Sequence, residues 1–238
     1  MTADKPAQHA ANGVWSEISS SDFEGRPALF LDRDGVIVED RHYVGRAEDM
    51  RMLTGAAEAV ARCNCLGIPV VLVSNQSGIA RGLYDWQGFD DVQTALAAAL
   101  MNDGARLDAV FACAHHADGN PPLNIADHPW RKPNPGMIAA AGERMKLDLS
   151  RSWIVGDRAS DIAAGRAAGL EGGILLSPRK DGPERLLAGV PKTGRFVIDI
   201  SASLADAVSL LLSRGCLGVG ARNRGLPDVP ASASRPPR

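Results

Sequence analysis

No excess of either charge sign marks this chain. Its 26 basic residues are balanced by 28 acidic ones, a formal net charge of −2, so it lacks the basic footprint of a protein whose main partner is nucleic acid. An anionic substrate would have to be met by local positive groups rather than by a global field. No apolar run reaches the ~20 residues that span a bilayer, and residues 1–25 have neither the charged start nor the apolar core of a signal peptide. A cytoplasmic protein with reduced thiols and no membrane partner is expected. Cysteine is sparse, at Cys63, Cys65, Cys113 and Cys216. Cys63 and Cys65 with Cys113 and His115 suggest a zinc site on spacing alone. The first pair, however, falls in a stretch that reads as helix, where positions i and i+2 face apart. These cysteines are read as core or half-buried thiols. No repeat period is visible, and 238 residues can bury one sizeable core or two small ones.

What the chain does have is a recurring pattern of buried strands that end on polar residues. Ala28-Leu29-Phe30-Leu31 runs straight into Asp32-Arg33-Asp34-Gly35. A continuous apolar run suits a strand covered on both faces, as in a parallel sheet. Asp32 then sits at the strand's carboxyl end, where open α/β sheets bind ligands. Asp34, further round the turn, can point back at whatever Asp32 attacks. Two carboxylates this close repel unless a cation lies between them or one holds a proton. That favours a metal-assisted reaction with one Asp as nucleophile and the other as acid and base. The bland alternative is a strand followed by an Asp-Gly turn.

The same alternation continues. Residues 1–25 read as a mobile arm in which Trp15 and Phe23 are possible anchors, 26–214 as the folded domain, and 215–238 as a disordered Gly-, Arg- and Pro-rich tail. A helix begins after Thr54, placed to cap it. Strands are expected over 68–74, 107–113, 152–157, 173–176 and 196–200, with helices over 85–102, 136–146, 160–170 and 204–212. The implied architecture is α/β and doubly wound, a mainly parallel sheet with helices on both faces. Only about twenty residues separate Asp34 from Thr54, too few for a large inserted cap domain. The site is expected to be open, lidded at most by the loop 116–133.

Four polar clusters then gather at one sheet edge: Asp32 with Asp34, Ser74 with Asn75, Arg131 with Lys132, and Asp157 with Asp161. Their chemistry is what a dianionic phosphate requires: a nucleophile, a cation to offset repulsion, a hydroxyl donor and a lysine. Taken singly, Arg131-Lys132 could be a solvated loop pair and Ser74 a turn cap. Together, Asp32-Arg33-Asp34-Gly35-Val36, Ser74, Lys132 and Gly156-Asp157-x-x-x-Asp161 resemble the motifs of the haloacid dehalogenase superfamily of phosphohydrolases. Val73 to Gly82 and Arg131-Lys132-Pro133-x-Pro135-Gly136-Met137 are similar to its branch of heptose 1,7-bisphosphate 7-phosphatases and histidinol-phosphatases.

The resemblance implies a Rossmann-like fold and a Mg²⁺-dependent phosphatase acting on a small phosphorylated metabolite. A heptose bisphosphate leads, with histidinol-phosphate or a broad range of sugar phosphates as alternatives. A non-catalytic phosphometabolite-binding protein is the alternative of another class. By the resemblance, Asp32 forms an aspartyl-phosphate, Asp34 is the acid and base, and Ser74 and Lys132 stabilise the transferring phosphoryl group. The metal falls to Asp32, the Asp34 backbone carbonyl and Asp157. Asp40, Arg41, His42 and Tyr43 match the substrate-contacting segment after the first motif. Asn75, Gln76, Ser77, Arg131 and Arg158 are further substrate-binding positions. His42 stands where relatives commonly have glycine, and Arg158 where they have lysine. Relatives also carry a zinc loop of Cys-x-His followed by Cys-x-Cys. Here Cys113 and His115 are kept, but His128-Pro129-Trp130 occupies the second pair. Trp130 cannot ligate, so a structural zinc is not expected. A monomer is expected.

Overall fold

A computed structural model describes residues 12–20, 22–177 and 195–218. Seven strands form one sheet: β1 (Val14–Ile18), β2 (Leu29–Leu31), β3 (Val70–Asn75), β4 (Ala109–Cys113), β5 (Trp153–Gly156), β6 (Gly172–Leu176) and β7 (Val197–Ser201). Their order is β1-β4-β3-β2-β5-β6-β7. Every neighbouring pair is parallel except β1 with β4. Among the described residues the helices are α1 (Ala56–Cys65), α2 (Ser77–Ala80), α3 (Trp86–Asn102), α4 (Gly136–Met145), α5 (Ala159–Ala167) and α6 (Leu204–Ser213).

The alternation of side chains along each strand explains the two layers. Leu29 and Leu31 of β2 and Val70 and Leu72 of β3 face a core shared with α1, α3 and α6. Phe30, Val71 and Val73 face the opposite core, shared with α4 and α5. Central parallel strands are covered twice, so they read as unbroken apolar runs. The sheet is thus doubly wound, and no inserted domain separates Asp34 from α1. From β2 the chain winds outward through β3 and β4, then returns to β5 on the other flank. The carboxyl end of β2 is therefore the topological switch point, where the crevice opens.

Three sequence expectations need correction. The N-terminal arm does not stop short of the domain: Val14–Ile18 adds an antiparallel edge strand to β4. Trp15 is buried there, stacked on Trp86 at 5.7 Å and edge-on to Phe89 at 5.5 Å. One inward tryptophan in a polar segment gives no strand pattern, because β4 supplies the order. Thr54 does not cap α1; Gly55, left-handed with φ 77°, takes the N-cap position without a side-chain bond. At the far end Leu217 is buried, so the fold continues slightly past 214. The remainder of the expected tail, 219–238, and residues 1–11 lie outside the described residues. Among the described residues no helix is long and apolar enough to cross a membrane, and all four cysteines are free thiols.

Candidate active site

The site is built on the ends of β2, β3 and β5 and on the loop entering α4. Asp32 follows β2 directly. Its Oδ1 accepts from its neighbour's amide, Arg33 N, at 2.8 Å and from Lys132 Nζ at 2.9 Å, which leaves Oδ2 the freer oxygen. Lys132 is buried, and its ammonium also reaches Asp161 Oδ1 at 2.6 Å and donates to the Val73 carbonyl at 2.8 Å. Burial works against that charge, but the Asp161 and Asp32 carboxylates outweigh it and raise the lysine's pKa. The loop bearing Lys132 is pinned to β3 by Asn75. Asn75 Nδ2 donates to the Lys132 carbonyl at 2.9 Å, and Lys132 N donates back to Asn75 Oδ1 at 3.0 Å.

Asp157, at the end of β5, meets Gly35 so closely that a Cβ there would collide with its carboxylate. Oxygens of Asp32, Asp157 and Asp161 lie within 4.8 Å of one another. Burial first, then the charges of Asp32 and Asp161, push Asp157 up to about 7, and its buried Oδ1 has no hydrogen-bond partner. A carboxylate cluster of this kind, with an orphaned oxygen and hard donors only, fits a divalent cation such as Mg²⁺. Asp161 is the least available of the three. Its Oδ1 pairs with Lys132, and its Oδ2 accepts the Arg158 amide at 3.0 Å as part of a capping box on α5.

A cavity of about 560 Å³ opens over this floor. Asp32, Asp34 and Lys132 line it, as do Asp40, His42 and Tyr43 from the loop after β2. Asn75, Gln76, Ser77, Arg131 and Arg158 are also on its walls, whereas Asp157 lines a second cavity together with Gly35. His42 and Tyr43 both adopt the left-handed region, φ 55° and 68°, which explains why glycine would suit the first of them. Arg158 reaches across the mouth to Asp40 at 2.9 Å. Arg131 is held by the His115 carbonyl at 2.9 Å. Burial lowers its pKa, and the nearby cations Arg81 and Arg158 lower it further.

Two predicted residues stand apart. Ser74 is buried beneath the floor with its Oγ accepting from Gln76 at 2.7 Å. Arg41 points away into an ion pair with Glu39 at 3.0 Å. Arg33 and Tyr84 were not singled out by the sequence reading, yet both contact the Asp34–Gln76 network. The only sequence signal for Arg33 is its place between the two aspartates. For Tyr84 there is none.

Beyond the cavity, Cys113 Sγ lies 3.7 Å from His128 Nδ1, and the His115 and His128 rings stack at 3.9 Å. His115 Nε2 already bonds the Asn12 carbonyl at 2.8 Å. Burial pushes the Cys113 thiol up to about 11. Trp130 packs its ring against Phe111 at 5.8 Å instead of offering a donor. Cys113, His115 and His128 thus lie together as three candidate donors, and Trp130 supplies no fourth.

The HAD-hydrolase-like family profile matches residues 129–201. A D-glycero-beta-D-manno-heptose-1,7-bisphosphate 7-phosphatase from Mesorhizobium japonicum is 44% identical over 199 residues, 77% of this chain and 92% of its own length. This chain belongs to the haloacid dehalogenase-like phosphatases. Solved members share its fold. A HAD-like protein from Mesorhizobium loti superposes with TM-score 0.79 at 40% identity, covering 92% of this chain and all of its own. The D,D-heptose 1,7-bisphosphate phosphatase of B. bronchiseptica, solved with magnesium and phosphate, gives TM-score 0.68 at 31% identity, over 79% of this chain and 99% of its own. In this haloacid dehalogenase-like phosphatase, as in the sequence expectation, no large cap is found among the described residues.

Proposed function

We propose that the chain removes the 7-phosphate of a D-glycero-D-manno-heptose 1,7-bisphosphate through an aspartyl-phosphate on Asp32. The observation that carries this reading is the Asp32–Lys132 contact at 2.9 Å on the cavity floor, at the switch point of the sheet, with Asp34 beside it. An Asp32 oxygen forms a bond to phosphorus as the bond from phosphorus to the sugar oxygen breaks. Asp34 delivers its proton to that leaving oxygen. It then takes a proton from the water that attacks the phosphoryl group, and the acyl-phosphate bond breaks to return Asp32 and release phosphate. Lys132 offers its charge to the equatorial oxygens, and Ser74 supports the floor below. Asp32, the Asp34 carbonyl and Asp157 would hold Mg²⁺, whose charge would offset phosphate–carboxylate repulsion.

The substrate reading draws support from the named activity of the relatives and from the cations Arg131 and Arg158 on the cavity wall, suited to a second phosphate. Tyr43 and Asp40 face the sugar, with Asn75 and Ser77 beside it. The protein is read as working without zinc and as a monomer.

Asp32→Asn is expected to abolish turnover, since an amide is no nucleophile towards phosphorus; near-normal activity would remove the assignment. Phosphate release measured over heptose bisphosphate, histidinol-phosphate and an aryl phosphate identifies the substrate. Arg131→Ala should weaken the bisphosphate far more than the aryl phosphate. Equal losses would make Arg131 a scaffold residue.

A further inference from the structure

Tyr84 sits in the turn between α2 and α3, and the hydrolytic scheme leaves it without a task. The glycines around it are cut to its shape. A Cβ at Gly78 or Gly45 would collide with the tyrosine side chain, and one at Gly88 with the Gly45 carbonyl. Backbone packed this closely aims the ring, and its Oη donates to Gln76 Oε1 at 2.5 Å. Arg33 Nη2 donates to the same oxygen at 3.1 Å, so that end of the amide must be the acceptor. The opposite end, Nε2, then donates to Asp34 Oδ2 at 3.2 Å and to Ser74 Oγ at 2.7 Å.

Arg33 closes the circuit. Its Nε reaches Asp34 Oδ1 at 3.1 Å and its Nη2 reaches Oδ2 at 3.0 Å, a two-pronged grip on one carboxylate. The guanidinium is fully buried, with the Phe89 ring 5.6 Å from its centre. Gln76 lines the cavity, but its amide is committed at both ends to protein groups. Asp34 Oδ2 is held by two side-chain donors and Oδ1 by one, so Oδ1 is the oxygen left able to exchange a proton.

We propose that Tyr84, through Gln76 and together with Arg33, is a positioning unit that holds the Asp34 carboxylate in the orientation for proton transfer. This rests on the acid–base role proposed above for Asp34. Held rigidly, the carboxylate meets the leaving oxygen and later the attacking water without reorganisation. Tyr84 and Gln76 reach the cavity lining, but their hydrogen-bonding groups are turned to each other, to Arg33, to Ser74 and to Asp34.

The test compares two leaving groups. 4-Nitrophenolate departs without a proton, whereas a sugar alkoxide needs one. Tyr84→Phe keeps the seated ring and deletes one hydroxyl, so the fold should survive. For the best sugar phosphate from the release screen, kcat should fall about tenfold, the effect of one lost buried hydrogen bond, with KM nearly unchanged. With 4-nitrophenyl phosphate the first turnover should stay within about twofold of the parent, because only a transition-state proton has been compromised. The second step still needs Asp34, so a burst of nitrophenolate should precede a slower steady state. Arg33→Lys keeps the charge but loses the fork, and should show the same pattern more strongly. Equal losses on both substrates without a burst, or no loss on the sugar phosphate, would overturn the proposal. Asp34→Asn, measured alongside, separates the two readings. If it lacks the leaving-group dependence, the acid–base assignment itself fails. If it shows it while Tyr84→Phe does not, only the positioning unit fails. In an Asp34→Asn background, Tyr84→Phe should cost nothing further.

Discussion

Replacing Asp157 by asparagine should make the metal-free protein more stable at alkaline pH and, in the same stroke, remove its response to Mg²⁺. Burial, and then the Asp32 and Asp161 charges, move this carboxyl from 3.8 to about 7. The folded state therefore keeps the proton to a higher pH than the unfolded chain does. Its contribution to stability is fully present below the unfolded value and is lost as pH rises through about 7. At about 1.4 kcal/mol per unit over roughly three units, the ceiling is ~4 kcal/mol. Burial also raises the neighbouring Asp161 carboxyl, which shares part of that cost. Asp157→Asn should thus exceed the parent by ~2–4 kcal/mol at pH 8 without metal, a difference that shrinks towards pH 4. In the parent, Mg²⁺ must displace the proton, so its affinity should weaken about tenfold per unit below pH 7. Saturating metal at about a hundred times Kd should restore ~2.7 kcal/mol to the parent and nothing to the variant. Urea unfolding in EDTA from pH 5 to 8, followed by thermal shifts against Mg²⁺, measures both. Equal metal-free stability at pH 8, or a Mg²⁺ shift that survives in Asp157→Asn, would refute the reasoning.

Trp15→Ala removes the aromatic anchor of β1 from Trp86 and Phe89; it should cost about 3–5 kcal/mol, read as a lower urea midpoint, with the β2-centred site still active below the transition. Trp130→Ala should destabilise by ~1–3 kcal/mol and lower kcat, since Trp130 packs on Phe111 immediately before Arg131 and Lys132. Metal analysis of protein purified without chelator should find well under one zinc per chain, and stoichiometric zinc would show that a rearranged donor set has formed around Cys113.

Much of the fold was legible because parallel strands buried on both faces leave unbroken apolar runs such as Val70 to Val73. Less was legible where a partner element imposes the structure. Val14–Ile18 carries one buried side chain, Trp15, too little for a two-residue period, and becomes a strand only because β4 offers an unpaired edge. In the site, Asp32, Asp34, Lys132 and Asp157 stand at recognisable spacings after strands. Tyr84 has no such signature, because its role exists only through Gln76, a residue brought to it by the β3 turn, and Arg33 offers only its place beside the Asp34 that it grips.

By itself the sequence determined which groups could do chemistry: two carboxylates after a buried strand, a lysine before Pro133, and a third carboxylate ending a later strand. Hydrophobic periodicity and local spacing are short-range properties, and a chain carries them unfolded. The tertiary structure alone decided which partners those groups meet. Winding outward from β2 on both flanks brings Lys132 to Asp32 and Asp161, crowds Asp157 until it holds a proton near neutrality, and turns Arg41 away to Glu39. Charge, burial and hydrogen bonding act over a few ångströms of space rather than of sequence, so the protonation and orientation of this site come into being only on folding.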